Sequence, residues 1–131
     1  MASQGKRVLE VGNCDPDHES IRRMLEANFN APIDRVMFVH EALAKLGQGR
    51  YDLVLVNRLI FEDGSDGGEL IRRMQTGGYQ DTPVMMISNY DDAQQKAQND
   101  GAIPGFGKAN IDAPQTVELL DRYLGASSSG E

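Results

Sequence analysis

Five short apolar runs alternate with five stretches of helical periodicity along this chain, and that alternation leaves few folds open. The runs are Arg7 to Gly12, Ile33 to Val39, Asp52 to Val56, Pro83 to Ile87 and roughly Ala102 to Phe106. Apolar runs without a polar alternation read as strands buried on both faces, as in a parallel sheet. Between them lie the helical stretches. Asp15-Pro16 starts the first as an N-cap acid followed by a proline. Ile21, Met24, Leu25 and Phe29 then share one face. Ala42, Leu43 and Leu46 stripe a short helix ended by Gly47. The loop from Arg58 to Asp66 leads to a helix carrying Leu70, Ile71 and Met74, stopped at Gly77-Gly78. The helix from Asp91 to Asp100 is unusually polar, with Ala93 and Ala97 to face the sheet. The last, Pro114 to Leu124, buries Val117, Leu120 and Leu124. Strand-helix alternation implies a doubly wound α/β fold with helices on both faces of a parallel sheet. Functional side chains are then expected beyond the carboxyl ends of the strands.

A chain of 131 residues is expected to form one domain over 1–125, with a core from 6 to 124. Met1 to Gly5 reads as a loose leader and 126–131 as a flexible tail. The net charge of -7 speaks against nucleic-acid binding, which needs a basic face. No apolar stretch approaches the roughly 20 residues of a membrane span, and no signal peptide opens the chain. The expectation is a cytoplasmic protein with no membrane contact, and the lone Cys14 suits that compartment.

The residues at the carboxyl ends of the strands are Asn13, Cys14 and Asp15 after the first, Asn57 after the third, Ser88 after the fourth and Lys108 after the fifth. Their order resembles the receiver domain of bacterial response regulators (CheY-like) over nearly the whole chain, from Lys6 to Leu124. The resemblance implies a flavodoxin-like (βα)5 three-layer sandwich with sheet order 2-1-3-4-5. In that family the third strand ends in the aspartate that accepts a phosphoryl group. Two adjacent acids after strand one help hold magnesium, and a serine or threonine and a lysine bind the phosphoryl oxygens. The resemblance places Asn57 at the acceptor and Asn13 and Cys14 at the paired acids. An amide and a thiol are poor ligands for a hard cation. Asn57 has no activatable lone pair with which to attack phosphorus. The expectation is a stand-alone pseudo-receiver, a protein-interaction module of two-component signalling with no enzymatic activity, no cofactor and weak or absent magnesium binding.

Further departures point the same way. Gly105 stands where receivers carry an aromatic switch residue, Asn89-Tyr90 replaces a small residue, and the loop after Asn57 lacks the usual proline and is longer. Ser88 and Lys108 match the pattern and form either a relic phosphoryl-binding pair or a structural one. In the structural case Ser88 caps the following helix and Lys108 donates to Asn57 or to backbone carbonyls. Two other functions stay open: a phosphorylatable regulator using another acid, Asp15, Asp63 or Asp66, and a small-ligand or redox sensor at the edge pocket around Cys14. Asp15 and Asp66 are otherwise read as helix N-caps, and His18 and His40 as solvated surface. A flavin carrier is disfavoured, because Gly12 to Pro16 lacks a phosphate-cradling run. Phe106, Leu119 and Tyr123 are the interface candidates that the resemblance implies, on the face of strand five and the last helix. There a signalling partner or a second copy would dock.

Overall fold

The computed structural model describes residues 6–125; the expected leader and tail lie outside them. Strands β1 (Val8–Val11), β2 (Ile33–Val36), β3 (Leu53–Asn57), β4 (Val84–Ile87) and β5 (Ile103–Phe106) form one parallel sheet in the order β2-β1-β3-β4-β5. The crossovers are helices α1 (Asp15–Asn28), α2 (Val39–Gln48), α3 (Gly68–Thr76) and α4 (Asp91–Asn99), and α5 (Pro114–Leu124) closes the fold. This is a flavodoxin-like α/β fold. Among the described residues no helix is long and apolar enough to cross a membrane.

The period-two geometry of the strands divides the core into two layers. Leu9, Val11, Val54, Val56, Val84 and Met86 pack with Ala42, Leu46, Leu70, Ile71, Met74 and Ala97 of α2, α3 and α4. Val8, Leu53, Leu55, Met85 and Ile87 pack with Ile21, Met24 and Leu25 of α1 and with Leu120 and Leu124 of α5. Truncating a fully buried leucine here, such as Leu55, to alanine costs about 2–5 kcal/mol.

Several boundaries differ from the expectation, each for a local reason. β2 stops at Val36, because Glu41 Oε1 accepts the backbone N–H groups of Met37 and Phe38, both at 3.0 Å, and closes the start of α2. α2 runs through Gly47 and ends against Gly49. The N-cap of α1 is Cys14, with Asp15 as the first helical residue; the Asp15 side chain points out to Arg35 at 2.8 Å instead of back onto the helix. Asp66 lies one residue before the cap of α3, although its Oδ1 does accept the Gly68 N–H at 2.9 Å. In α5 Thr116 takes the buried place and Val117 is only half-buried. The Thr116 hydroxyl donates to the Asn110 carbonyl at 2.6 Å, so its polarity is satisfied inside the core.

The polarity of α4 has a specific use. The β4–β5 ladder shifts register between Met85 and Ile87. The Gln94 side chain fills the break, donating to Met86 O at 2.8 Å and accepting from Gly105 N at 3.1 Å. Gly105 is needed for this approach, since a Cβ there would lie 2.2 Å from the Met86 carbonyl oxygen. An aromatic residue is therefore sterically excluded from that position.

Candidate functional site

At the carboxyl edge of the sheet, Asn57, Ser88 and Lys108 line one cleft of about 260 Å³ together with Arg58, Leu59, Ile87, Asn89 and Tyr90. Three of the six site residues expected from sequence therefore meet. The other three do not line this cleft.

Asn57 is nearly buried, and its side chain works as a donor. Nδ2 donates to Leu59 O at 2.7 Å and to Gly12 O at 3.3 Å, tying the end of β1 to the loop after β3. Gly12 O also accepts the Phe61 N–H at 2.9 Å. Gly12 has φ of 84°, and a Cβ there would lie 2.6 Å from Ile60 Cδ1. On the other side Gly67 packs so tightly that its Cβ would stand 1.9 Å from the Asn57 carbonyl oxygen. An aspartate carboxylate could make neither of the two Nδ2 donations.

Lys108 turns away from Asn57. Its Nζ pairs with Asp17 Oδ2 at 2.8 Å, against the expectation of an asparagine or backbone acceptor. The Cys14 thiol donates to the same oxygen at 3.2 Å. Burial pushes the Asp17 carboxyl up, but the hydrogen bonds from Lys108 and Cys14 and the lysine charge outweigh it, so its pKa falls below the ordinary carboxylate value. Ser88 Oγ accepts the Tyr90 N–H at 3.1 Å, which orders the turn into α4, although Tyr90 itself is the N-cap.

Asn13 is fully buried below the cleft. Its Nδ2 donates to Glu10 Oε2 at 3.0 Å, while its Oδ1 has no hydrogen-bond partner among the described residues. Glu10 is a fully buried carboxylate in the middle of β1, and its Oε1 meets His18 Nδ1 at 2.5 Å. His18 is thus tied into the core layer under α1, contrary to the expectation of a solvated surface residue. His40 is exposed and stacks on Phe38 at 5.7 Å. Asp63 accepts from Ser65 N and Oγ, and Asp66 pairs with Arg72 at 2.9 Å; neither lines the Asn57 cleft.

This donor set does not fit a hard divalent cation. At the three metal positions implied by the resemblance stand a thiol directed at Asp17 and two amides whose N–H groups are directed at a carboxylate and at backbone carbonyls. Among the described residues no group of three or more His, Cys, Asp or Glu side chains is placed to hold a metal.

The interface candidates lie deeper than their sequence positions suggested. Phe106 is buried in the core at 6% exposure, and Leu119 and Tyr123 are half-buried against the same layer rather than forming a separate face. Among the described residues the exposed large apolar side chains are Leu59 (41%), Phe61 (62%) and Tyr90 (59%), all at the carboxyl edge. Arg58 lies over the Tyr90 ring at 5.0 Å.

No protein-family model matches the sequence, and no curated protein matches it. Solved structures do. The Francisella response regulator 1452 receiver domain superposes with a TM-score of 0.73 at 19% identity, covering 89% of this chain and 97% of that one. NtrX from Brucella abortus gives 0.77 at 20% identity over 95% of this chain, which spans 28% of NtrX. The chemotaxis response regulator CheY4 of Vibrio cholerae gives 0.69 at 22% identity over 92% of this chain and all (100%) of that one. The chain therefore has the fold of response-regulator receiver domains.

Proposed function

We propose that this receiver-fold chain is a pseudo-receiver, a protein-interaction module of bacterial two-component-type signalling that acts in the cytoplasm without aspartyl phosphorylation or catalysis. The observation that carries this reading is the Asn57 side chain, whose N–H groups bracket Gly12 O and Leu59 O. An amide that donates to two carbonyls is not a nucleophile and brings no negative charge to a cation, and replacing it with a carboxylate would break both bonds. The lysine that would meet a phosphoryl oxygen is already neutralised by Asp17. The charge change that drives receiver switching has no place to occur, so the edge is held in one arrangement.

The rival acids are in local use: Asp15 with Arg35, Asp63 with Ser65, Asp66 with Arg72 and Gly68. The redox alternative is weakened because the Cys14 thiol is engaged by Asp17 and the chain has no second cysteine. The test is a magnesium titration followed by amide NMR. Residues 12–17 and 57–58 are expected to show no saturable shift. A saturable shift at these amides would refute the reading.

A further inference from the structure

On the pseudo-receiver reading this edge carries no phosphoryl chemistry, and among the described residues it carries the exposed large apolar side chains. Leu59 and Tyr90 line the same cleft, and Phe61 follows two residues after Leu59 in the same loop. Their backbone is fixed rather than loose. Phe61 N donates to Gly12 O, Leu59 O accepts from Asn57, and Tyr90 N donates to Ser88 Oγ. An exposed apolar group on a preorganised backbone is a docking feature, because ordering costs little on binding. The charges around it indicate what docks. Glu62 and Asp91 are exposed neighbours of Phe61 and Tyr90, and neither has an ion pair among the described residues. Asp63 and Asp92 bond only to their own loop or helix start. Of the two bases at the cleft, Lys108 is neutralised by Asp17 and Arg58 is laid over Tyr90. A second copy of this chain, with net charge -7, would bring like charge to this rim.

We propose that the β3–α3 and β4–α4 loops form a docking surface for a basic protein segment, one that places apolar side chains against Leu59, Phe61 and Tyr90 and Lys or Arg against Glu62 and Asp91. This rests on the pseudo-receiver reading and moves the interface from the α5 face to the degenerate site itself.

The test pans a random-peptide phage library against the full chain. It is repeated with Phe61→Ser/Tyr90→Ser and, separately, with Glu62→Lys/Asp91→Lys. Both pairs are exposed, and matching thermal unfolding confirms that the variants fold. The expected result is enriched peptides that are net basic and carry aromatic or aliphatic residues, binding each variant at least about tenfold more weakly. No enrichment, acidic or neutral peptides, or equal binding to the variants would overturn the proposal. So would a doubling of mass by light scattering that the Phe61/Tyr90 variant abolishes, since that assigns the face to a second copy. Failure of the pseudo-receiver reading is seen separately, in the magnesium titration.

Discussion

Two polar clusters sit a few residues apart at the carboxyl edge of the sheet, one closed and one open. Glu10, Asn13 and His18 are enclosed between β1 and α1, whereas Asn57, Ser88 and Lys108 line a solvent-open cleft. The receiver pattern would put acids at 13 and 14. Here acids stand three residues before Asn13, at Glu10, and three after Cys14, at Asp17. Carboxylates are still present at this end of the molecule. Glu10 lies in the core layer and Asp17 on the outer lysine, so neither is offered to a cation. The closed cluster acts on stability, and the open one decides what the edge can do.

The largest effect is expected in the closed cluster. His18→Ala leaves the Glu10 carboxylate buried with Asn13 alone and should lower stability by about 3 kcal/mol. The triple variant Glu10→Met/Asn13→Leu/His18→Leu should recover most of that loss, because it removes every polar side chain of the cluster. Urea unfolding midpoints at constant slope measure both. Equal destabilisation by the single and triple variants would show that shape, not the Glu10–His18 hydrogen bond, matters there.

Next comes Asn57 of the open cluster, which ties the end of β1 to the loop after β3. Asn57→Asp removes two donations and sets a carboxylate against two carbonyl oxygens, a loss of about 2 kcal/mol. The protonated form of that new acid is the one the fold tolerates, so its folded pKa is raised. The deficit should be small below about pH 4 and grow as pH rises through the carboxylate range. A deficit independent of pH would contradict the bracket.

The smallest effect belongs to the Asp17–Lys108 pair at the rim of the open cluster. Asp17→Asn should cost less than about 1 kcal/mol, since the Lys108 pair is partly solvated and screened. Its deficit also shrinks towards acid pH, although the pKa shift behind it is in the opposite direction. Asp17 has a lowered folded pKa, so its contribution is present above the ordinary carboxylate value and is lost as pH falls through the folded one. Comparing stability curves of the two chains between neutral and acid pH, in low and high salt, isolates it. Convergence at acid pH and in salt is expected.

The strand-helix alternation and the bounds of α5 were legible because parallel strands and an amphipathic helix write their burial directly into residue spacing, whereas the sheet order came from the family resemblance. Asn57, Ser88 and Lys108 were legible as a group because strand ends converge on one edge. Glu10 was not, although an acid inside an apolar run signals a buried partner; that partner, His18, lies eight residues on, across a loop and a helix start. Asp17 and Gln94 were hidden for a similar reason. On a helix they read as solvent-facing polar residues, and only the fold shows one reaching Lys108 and the other a broken ladder. Phe106 was misplaced because an aromatic in a short edge strand gives no sign of which layer it enters, and here it enters the core under α5.

The most direct measurement is intact mass after incubation with magnesium and a small phosphodonor such as acetyl phosphate, on the native chain and on Asn57→Asp. A chain with an amide at the acceptor and no cation ligands beside it should keep its mass unchanged. The variant should remain unmodified too, because Asn13 and Cys14 still direct their donors at Glu10 and Asp17. A stoichiometric phosphoryl adduct on the native chain would contradict the pseudo-receiver reading, and one on the variant alone would show that Asn57 is the single block.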